Sequence, residues 1–315
     1  MRATRGGAAG AIALVLAMLV GACGSGGGSK SSNTNDTGAT STTASAKAKA
    51  SITIASANFS ENEMLADMYG AVLAKAGYPI TYKLKLGARE VIEPALESGQ
   101  VDFIPEYAGN YLSFLDKTVG SLSVQDTVAK LRTALAPKGI TVLEPSQATD
   151  ADAIAVTKDF ATKNNLKTLS DLAKVTTPLT LGGPPECETR VTCKVGLEQV
   201  YGIKVKFKSL DADGPLTRAA LDKGDIHLAR VFTADADLKT KGYVVLEDDK
   251  HYQQAGNVTP VIRTEKLDDE ARALINKVSA ALTTDALIDL NKSVQVDKAD
   301  PKAAAEKFLK DKGLL

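Results

Sequence analysis

The chain has 315 residues, 44% of them hydrophobic, with 38 basic and 38 acidic side chains. That balance leaves no electrostatic footprint for nucleic acid. Beyond the first residues, no stretch is apolar enough to span a bilayer.

The N-terminus reads as an address. Arg2 and Arg5 form a positive n-region, and Ala8–Val20 is an apolar run shorter than the ~20 residues a membrane span needs. It ends in Val20-Gly21-Ala22-Cys23, which resembles a bacterial lipobox, with cleavage before Cys23 and acylation of that residue. Residues 1–22 are thus expected to be a lipoprotein signal peptide. Residues 23–50 hold no apolar side chain larger than alanine after the cysteine and cannot bury a core. Such a tether averages roughly 25–30 Å end to end.

The folded part starts with Ile52–Ala57, an alternating β-branched strand. Asn58 and Phe59 form a loop before a helix with Met64, Leu65, Met68, Val72 and Leu73 on one face. Ser60 with Glu63 has capping-box spacing. Backbone N–H groups at such a helix start favour an anionic or polar ligand atom. Tyr82–Leu86 is the next strand, running into Arg89 and the helix Glu90–Ser98, which Gly99 terminates. Val101–Ile104 is a short buried strand that Pro105 is expected to end, with Tyr107 just beyond. Asn110 fits either a helix N-cap or a ligand contact. Thr127–Ala136 is helical and Ile140–Leu143 a strand.

A polar connector, Pro145–Asp150, then leads to the strand Ala153–Val156 and a helical stretch over Phe160–Leu172. Strands follow at Leu179–Leu181, Val205–Lys208 and Val244–Leu246, with a helix at Val195–Val200. A second polar connector precedes the strand Thr259–Arg263, and three helices close the chain: Asp268–Ala281, Asp285–Lys292 and Ala303–Lys310.

Within this order a unit recurs. ALESGQVDFIPEY (Ala95–Tyr107) aligns without gaps to ALDKGDIHLARVF (Ala220–Phe232), placing Gly99 on Gly224 and Tyr107 on Phe232. The same offset superposes AGYPITYK (Ala76–Lys83) on YGIKVKFK (Tyr201–Lys208). Two α/β lobes of one plan are expected, each delivering an aromatic at a strand's C-terminal end, where open α/β sheets bind ligands. Roughly 265 residues suit two lobes better than one core. The boundaries read as 51–148 plus 256–315 for lobe I and 149–255 for lobe II. Two crossings allow a hinge around a ligand.

Cys187 and Cys193 lie close together in PPECETRVTC. In an exported chain such a pair suggests a disulfide closing a small loop, with two free thiols or half a metal site as alternatives. Only His227 and His251 could complete a zinc site, and there is no CxxC. His227 sits in a strand and reads as packed; His251 sits in a charged connector and reads as solvated. There is no G-x-S-x-G, H-E-x-x-H or Walker A motif, and no GxGxxG follows a strand. The chain reads as a binder without catalytic residues, metal or cofactor, and an exported hydrolase is disfavoured.

The lipobox, ANFSE, LGAREV, ALESGQVDFIPEYAGN, LKTLSDLA, LGGPPEC with Arg190, VVLEDDK and FLKDKGLL together resemble the osmoprotectant-binding subunits of ABC importers. The resemblance runs from about Ile52 to Leu315. It implies a type II periplasmic-binding-protein fold, closure on glycine betaine, choline, carnitine or proline betaine, and delivery to a membrane permease driven by a cytoplasmic ATPase. It also implies a monomeric lipoprotein on the outer face of the cell membrane, held by Cys23.

The family's tyrosine cage for the quaternary ammonium is half present here. Tyr107 and Phe232 match two of its aromatics, with Thr233 next to the latter. The other two fall near Asp152 and Asn257. Arg190 matches an arginine that takes the betaine carboxylate, and Asn110 stands where a small hydroxyl residue is common. Asn58, Phe59 and Arg89 complete the expected ligand set. The lost rings leave two options: Asp152 compensates by charge, or the pocket is rebuilt for a polyol or phenolic solute. A cell-surface sensor or adhesion module without transport is the alternative of another class.

Overall fold

The computed structural model describes Ala48–Leu315. Cys23, with the expected signal peptide and most of the tether, lies outside the described residues.

The chain first runs through β1 (Ile52–Ala57), α1 (Ser60–Lys75), β2 (Ile80–Gly87), α2 (Arg89–Glu97), β3 (Phe103–Tyr107), α3 (Ala108–Leu115), α4 (Val124–Leu135) and β4 (Ile140–Val142). After a crossing come β5 (Asp152–Val156), α5 (Lys158–Asn164), β6 (Thr180–Gly183), α6 (Lys194–Tyr201), β7 (Lys206–Ser209), α7 (Pro215–Asp222), β8 (Leu228–Phe232), α8 (Asp237–Thr240) and β9 (Val244–Val245). A second crossing returns the chain to β10 (Val258–Arg263), α9 (Asp269–Ala281), α10 (Thr284–Asn291) and α11 (Pro301–Asp311).

The strands form two five-stranded sheets, ordered β2-β1-β3-β10-β4 and β7-β6-β8-β5-β9. They correspond position by position. In each, three strands run parallel and the fourth, contributed across a crossing, pairs antiparallel with the third. This is the two-lobe α/β fold expected from the repeat. β3 and β8 span equivalent residues of the aligned unit, and Gly99 and Gly224 both close the preceding helix with φ of 77° and 75°. A residue with a Cβ would be strained there.

Even side-chain bonds repeat. Asp102 Oδ2 accepts from the Thr53 N–H at 2.8 Å, and His227 Nδ1 accepts from the Thr180 N–H at 3.2 Å. His227 is a structural group at the start of its strand.

The predicted face of α1 is buried: Met64, Leu65, Met68 and Leu73 are inaccessible and Val72 nearly so. This face joins a core shared with Ile275, Val278, Phe308 and Leu309 of the closing helices. Lobe II has its own core around Leu181, Leu197 and Leu228, into which the Cys187–Cys193 disulfide packs.

Three local expectations are corrected. Pro105 does not end its strand; β3 continues to Tyr107 with Pro105 opposite Pro260. The Pro105 carbonyl accepts from Asn62 and the Pro260 carbonyl from the Leu143 N–H, so both backbones face away from each other. In such a non-hydrogen-bonded pair a missing N–H costs nothing to that ladder. The capping box at Ser60 does not form, because Phe59 occupies the N-cap position and Glu63 turns to Lys85 at 2.8 Å. The helical stretch over Phe160–Leu172 is broken at Asn165, which adopts φ 50°, and resumes as a 3₁₀ turn capped by Thr168 and Asp171.

Candidate functional site

One loop and one strand of lobe I aim the first aromatics. From the first turn of α1, Asn62 accepts from the Ala57 N–H at 2.7 Å and donates to the Pro105 carbonyl at 2.9 Å. This ties the loop carrying Phe59 to the strand carrying Tyr107. Tyr107 is buried, and its hydroxyl donates to Glu61 Oε1 at 2.5 Å. Lobe II brings Phe232 from the end of β8.

The three rings converge at one point between the lobes. Phe59 lies 5.1 Å from Phe232 and 6.2 Å from Tyr107, and Tyr107 lies 6.4 Å from Phe232, all within 30° of parallel. Such separations are those of interacting rings. The cavity beside them holds about 40 Å³, room for about three waters. Admitting a larger solute requires the lobes to part.

Charged groups frame the rings. Arg89 donates through Nε and Nη2 to both oxygens of Glu106, at 2.8 and 2.6 Å. Burial opposes the Arg89 charge, but Glu106 overcomes this and holds the guanidinium firmly protonated. Asn110 lies in the first turn of α3, caps nothing, and its buried Oδ1, facing the cavity, has no partner among the described residues. Arg190 reaches across the cleft with Nε and Nη2 to Glu90, at 3.1 and 2.7 Å. Burial works to raise the Glu90 carboxyl, yet the Arg190 contact prevails and holds it below its ordinary value. This pair bridges the two lobes at the rim.

On β8, Arg230 precedes Phe232 by two residues and shares its face of the strand. Its Nη2 pairs with Asp152 of the neighbouring β5, its guanidinium carbon lies 3.7 Å from the Phe232 ring centroid, and its Nη1 is buried with no partner among the described residues.

Behind the rings lies a second, larger cavity of about 340 Å³, walled by Phe59 and Phe232 and by buried carboxylates at the crossings. Burial pushes the Glu61 and Asp150 carboxyls up, and the Glu61 charge adds to the rise at Asp150. Burial likewise raises Asp213 and Asp235, partly offset by Arg218. The crossings touch here: the Asp150 N–H donates to the Gly256 carbonyl at 2.8 Å.

Asn58, Phe59, Arg89, Tyr107, Asn110, Arg190 and Phe232, all expected from the sequence, line the one small cavity. Three expected residues do not. Asp152 is neutralised by Arg230 and so is no free charge in place of a missing ring. The Thr233 hydroxyl accepts from the Ala151 N–H at 2.9 Å, fastening a crossing. Asn257 donates to the Ser146 carbonyl at 3.0 Å within the crossings. Arg230, Glu106 and Glu61 were not expected. The signal for Arg230 was an arginine two residues before the aromatic in an otherwise apolar strand.

Comparison with known proteins identifies the family. Residues 50–311 match the family model for the substrate-binding domain of the ABC-type glycine betaine transport system. The chain is similar to glycine betaine-binding protein YehZ of Escherichia coli, 27% identical over 81% of this chain and 88% of the relative. It is similar to a glycine betaine-binding protein of Pseudomonas aeruginosa, 26% identical over 82% and 86%. Its fold matches a crystal structure of a glycine betaine/carnitine/choline ABC transporter protein, TM-score 0.66 at 23% identity, over 84% of this chain and 99% of that one. The chain therefore belongs to the substrate-binding domains of ABC-type glycine betaine transport systems, which are solute binders and not enzymes.

Proposed function

We propose that this chain captures a betaine-type zwitterion between its lobes and presents it to the importer's permease. The observation that carries this reading is the convergence of Phe59, Tyr107 and Phe232 from both lobes beside guanidinium groups. Electron-rich ring faces attract a quaternary ammonium, by about 2 kcal/mol or more when desolvated. Guanidinium groups suit the carboxylate at the other end of such a molecule. Parting of the lobes admits the solute, and the Arg190–Glu90 pair fastens the rim once they close.

The domain works outside the cytoplasm on a lipid anchor at Cys23. The VGAC site and the polar tether support this, and stable anchoring takes more than one acyl chain. Cys23→Ala is expected to leave the protein in the soluble fraction, whereas pelleting with membranes would place the anchor elsewhere.

Calorimetry of the purified protein against glycine betaine, carnitine, a polyol and a phenol tests the ligand class. Saturable binding of a betaine is expected. Binding of the polyol or phenol with no betaine response would overturn it.

A further inference from the structure

Three guanidinium groups and two carboxylates line the small cavity, on Arg89, Arg190, Arg230, Glu106 and Glu186. They are not equally available. Arg89 spends two donors on Glu106, and Arg190 spends two on Glu90. Among the cavity-lining side chains, Arg230 Nη1 is the buried donor left without a partner, and Asn110 Oδ1 the buried acceptor. The Tyr107 hydroxyl is not free, since it donates to Glu61.

Arg230 also occupies ring surface. At 3.7 Å from the Phe232 centroid its guanidinium already makes the cation–π contact that a quaternary ammonium would make on that side of the ring. Pairing with Asp152, fixed by the antiparallel register of β5 and β8, holds it there. An incoming cation thus meets a resident cation on Phe232. An incoming carboxylate meets an unpaired N–H.

We propose that Arg230 is the specificity-determining residue of this cleft: it donates Nη1 to a ligand carboxylate and bars the Phe232 face to a bare cation. The site accordingly selects carboxylate-bearing quaternary amines over choline. The Asn110 amide oxygen, on the opposite lobe, is left for the polarised methyl groups or a hydroxyl of the ligand. This assignment rests on the cleft being the betaine site proposed above and gives the carboxylate to Arg230, while Arg190 serves closure.

The test is calorimetry with glycine betaine and choline on wild type, Arg230→Gln, and the double variant Arg230→Gln/Asp152→Asn. Wild type is expected to favour glycine betaine at least tenfold. Arg230→Gln should lose at least tenfold for glycine betaine and gain for choline, because Asp152 is then an unpaired anion beside an open ring. The double variant leaves no unpaired charge, so it should lose glycine betaine affinity without the gain for choline. If the single variant does not fold, the double variant alone decides. A folded variant that keeps the wild-type ratio of the two affinities overturns the role of Arg230 while leaving the betaine site standing. Wild type binding choline as tightly as glycine betaine does the same. Wild type binding neither overturns the site reading and this assignment together.

Discussion

Lobe I delivers Tyr107 at the end of β3, and lobe II delivers Phe232 at the end of β8. The strands are equivalent in sheet order, in the glycine that precedes them and in the side-chain bond at their start. What surrounds the two rings differs. Tyr107 is pinned through its hydroxyl to Glu61, in a buried acidic group that reaches Asp150 at the crossing. Phe232 has no hydroxyl and instead carries the Arg230 guanidinium on its ring. One plan therefore places two aromatics face to face, and local substitutions around each decide its task. The ring of lobe I is tied to the buried acids at the crossings, and the ring of lobe II is tied to the Arg230 guanidinium.

The loops before these rings differ in the same way. β1 and β6 are equivalent strands, yet the loop after β1 is held by two Asn62 hydrogen bonds and the loop after β6 by the Cys187–Cys193 disulfide.

The largest effect should come from the joint that both lobes share. A Cβ on Gly256 would stand 2.5 Å from the Ala151 nitrogen and the Asp150 carbonyl carbon, backbone atoms of the other crossing. Gly256→Ala should destabilise the protein by about 3 kcal/mol, the upper end for overpacking a tight site. A denaturant titration with an unchanged midpoint would show that the crossings are loosely joined.

Replacing both Cys187 and Cys193 with serine should cost about 2–3 kcal/mol, the loop-closure scale for a short bridge. Asn62→Ala should cost about 1–3 kcal/mol, since it orphans a backbone donor and a carbonyl. Chemical denaturation of the two variants compares the two braces. If only one matters, the loops are not equivalent in energy despite their equivalent place.

Asp150→Asn probes the link from Tyr107 to the hinge. The Asp150 carboxyl is raised well above its ordinary value by burial and by Glu61. Stability from a raised carboxyl is fully present below its unfolded value, near pH 4, and is lost as pH rises through the folded value. Asparagine stays uncharged. The variant should therefore gain about 1–2 kcal/mol over wild type at pH 8, in the range of single substitutions that remove a buried charge. The gain should vanish toward pH 4. Parallel stability–pH curves for the two proteins would contradict this.

Glu90→Gln should have the smallest effect, because the Glu90 side chain is 43% exposed and its pair with Arg190 is partly screened. Such pairs contribute about 0.2–1 kcal/mol. Ligand release should speed up by about twofold at low salt, with the difference shrinking at high salt. Identical release rates at low salt would show that the pair is no latch.

Much of this architecture was legible in the chain. Period-two strands, helix-ending glycines and a gapless internal match carry the two lobes, because these depend on local backbone chemistry. The ring positions followed from the same match. The roles of Asp152, Thr233 and Asn257 were not legible, since the crossings fold back on each other and spend those side chains on contacts distant in sequence. The Arg230–Asp152 pair spans 78 residues and depends on the register of β5 against β8. The continuation of β3 through Pro105 likewise depends on which residue lies opposite, and Pro260 comes from beyond the second crossing.

The central claim is that Tyr107 and Phe232 grip one solute from opposite lobes. Calorimetry of glycine betaine binding to wild type, Tyr107→Ala and Phe232→Ala tests it most directly. Each substitution should weaken binding by roughly 1–3 kcal/mol, Tyr107→Ala by losing an aromatic face for the ammonium and Phe232→Ala by losing the ring that seats the Arg230 guanidinium. Wild-type affinity in both variants would contradict the account.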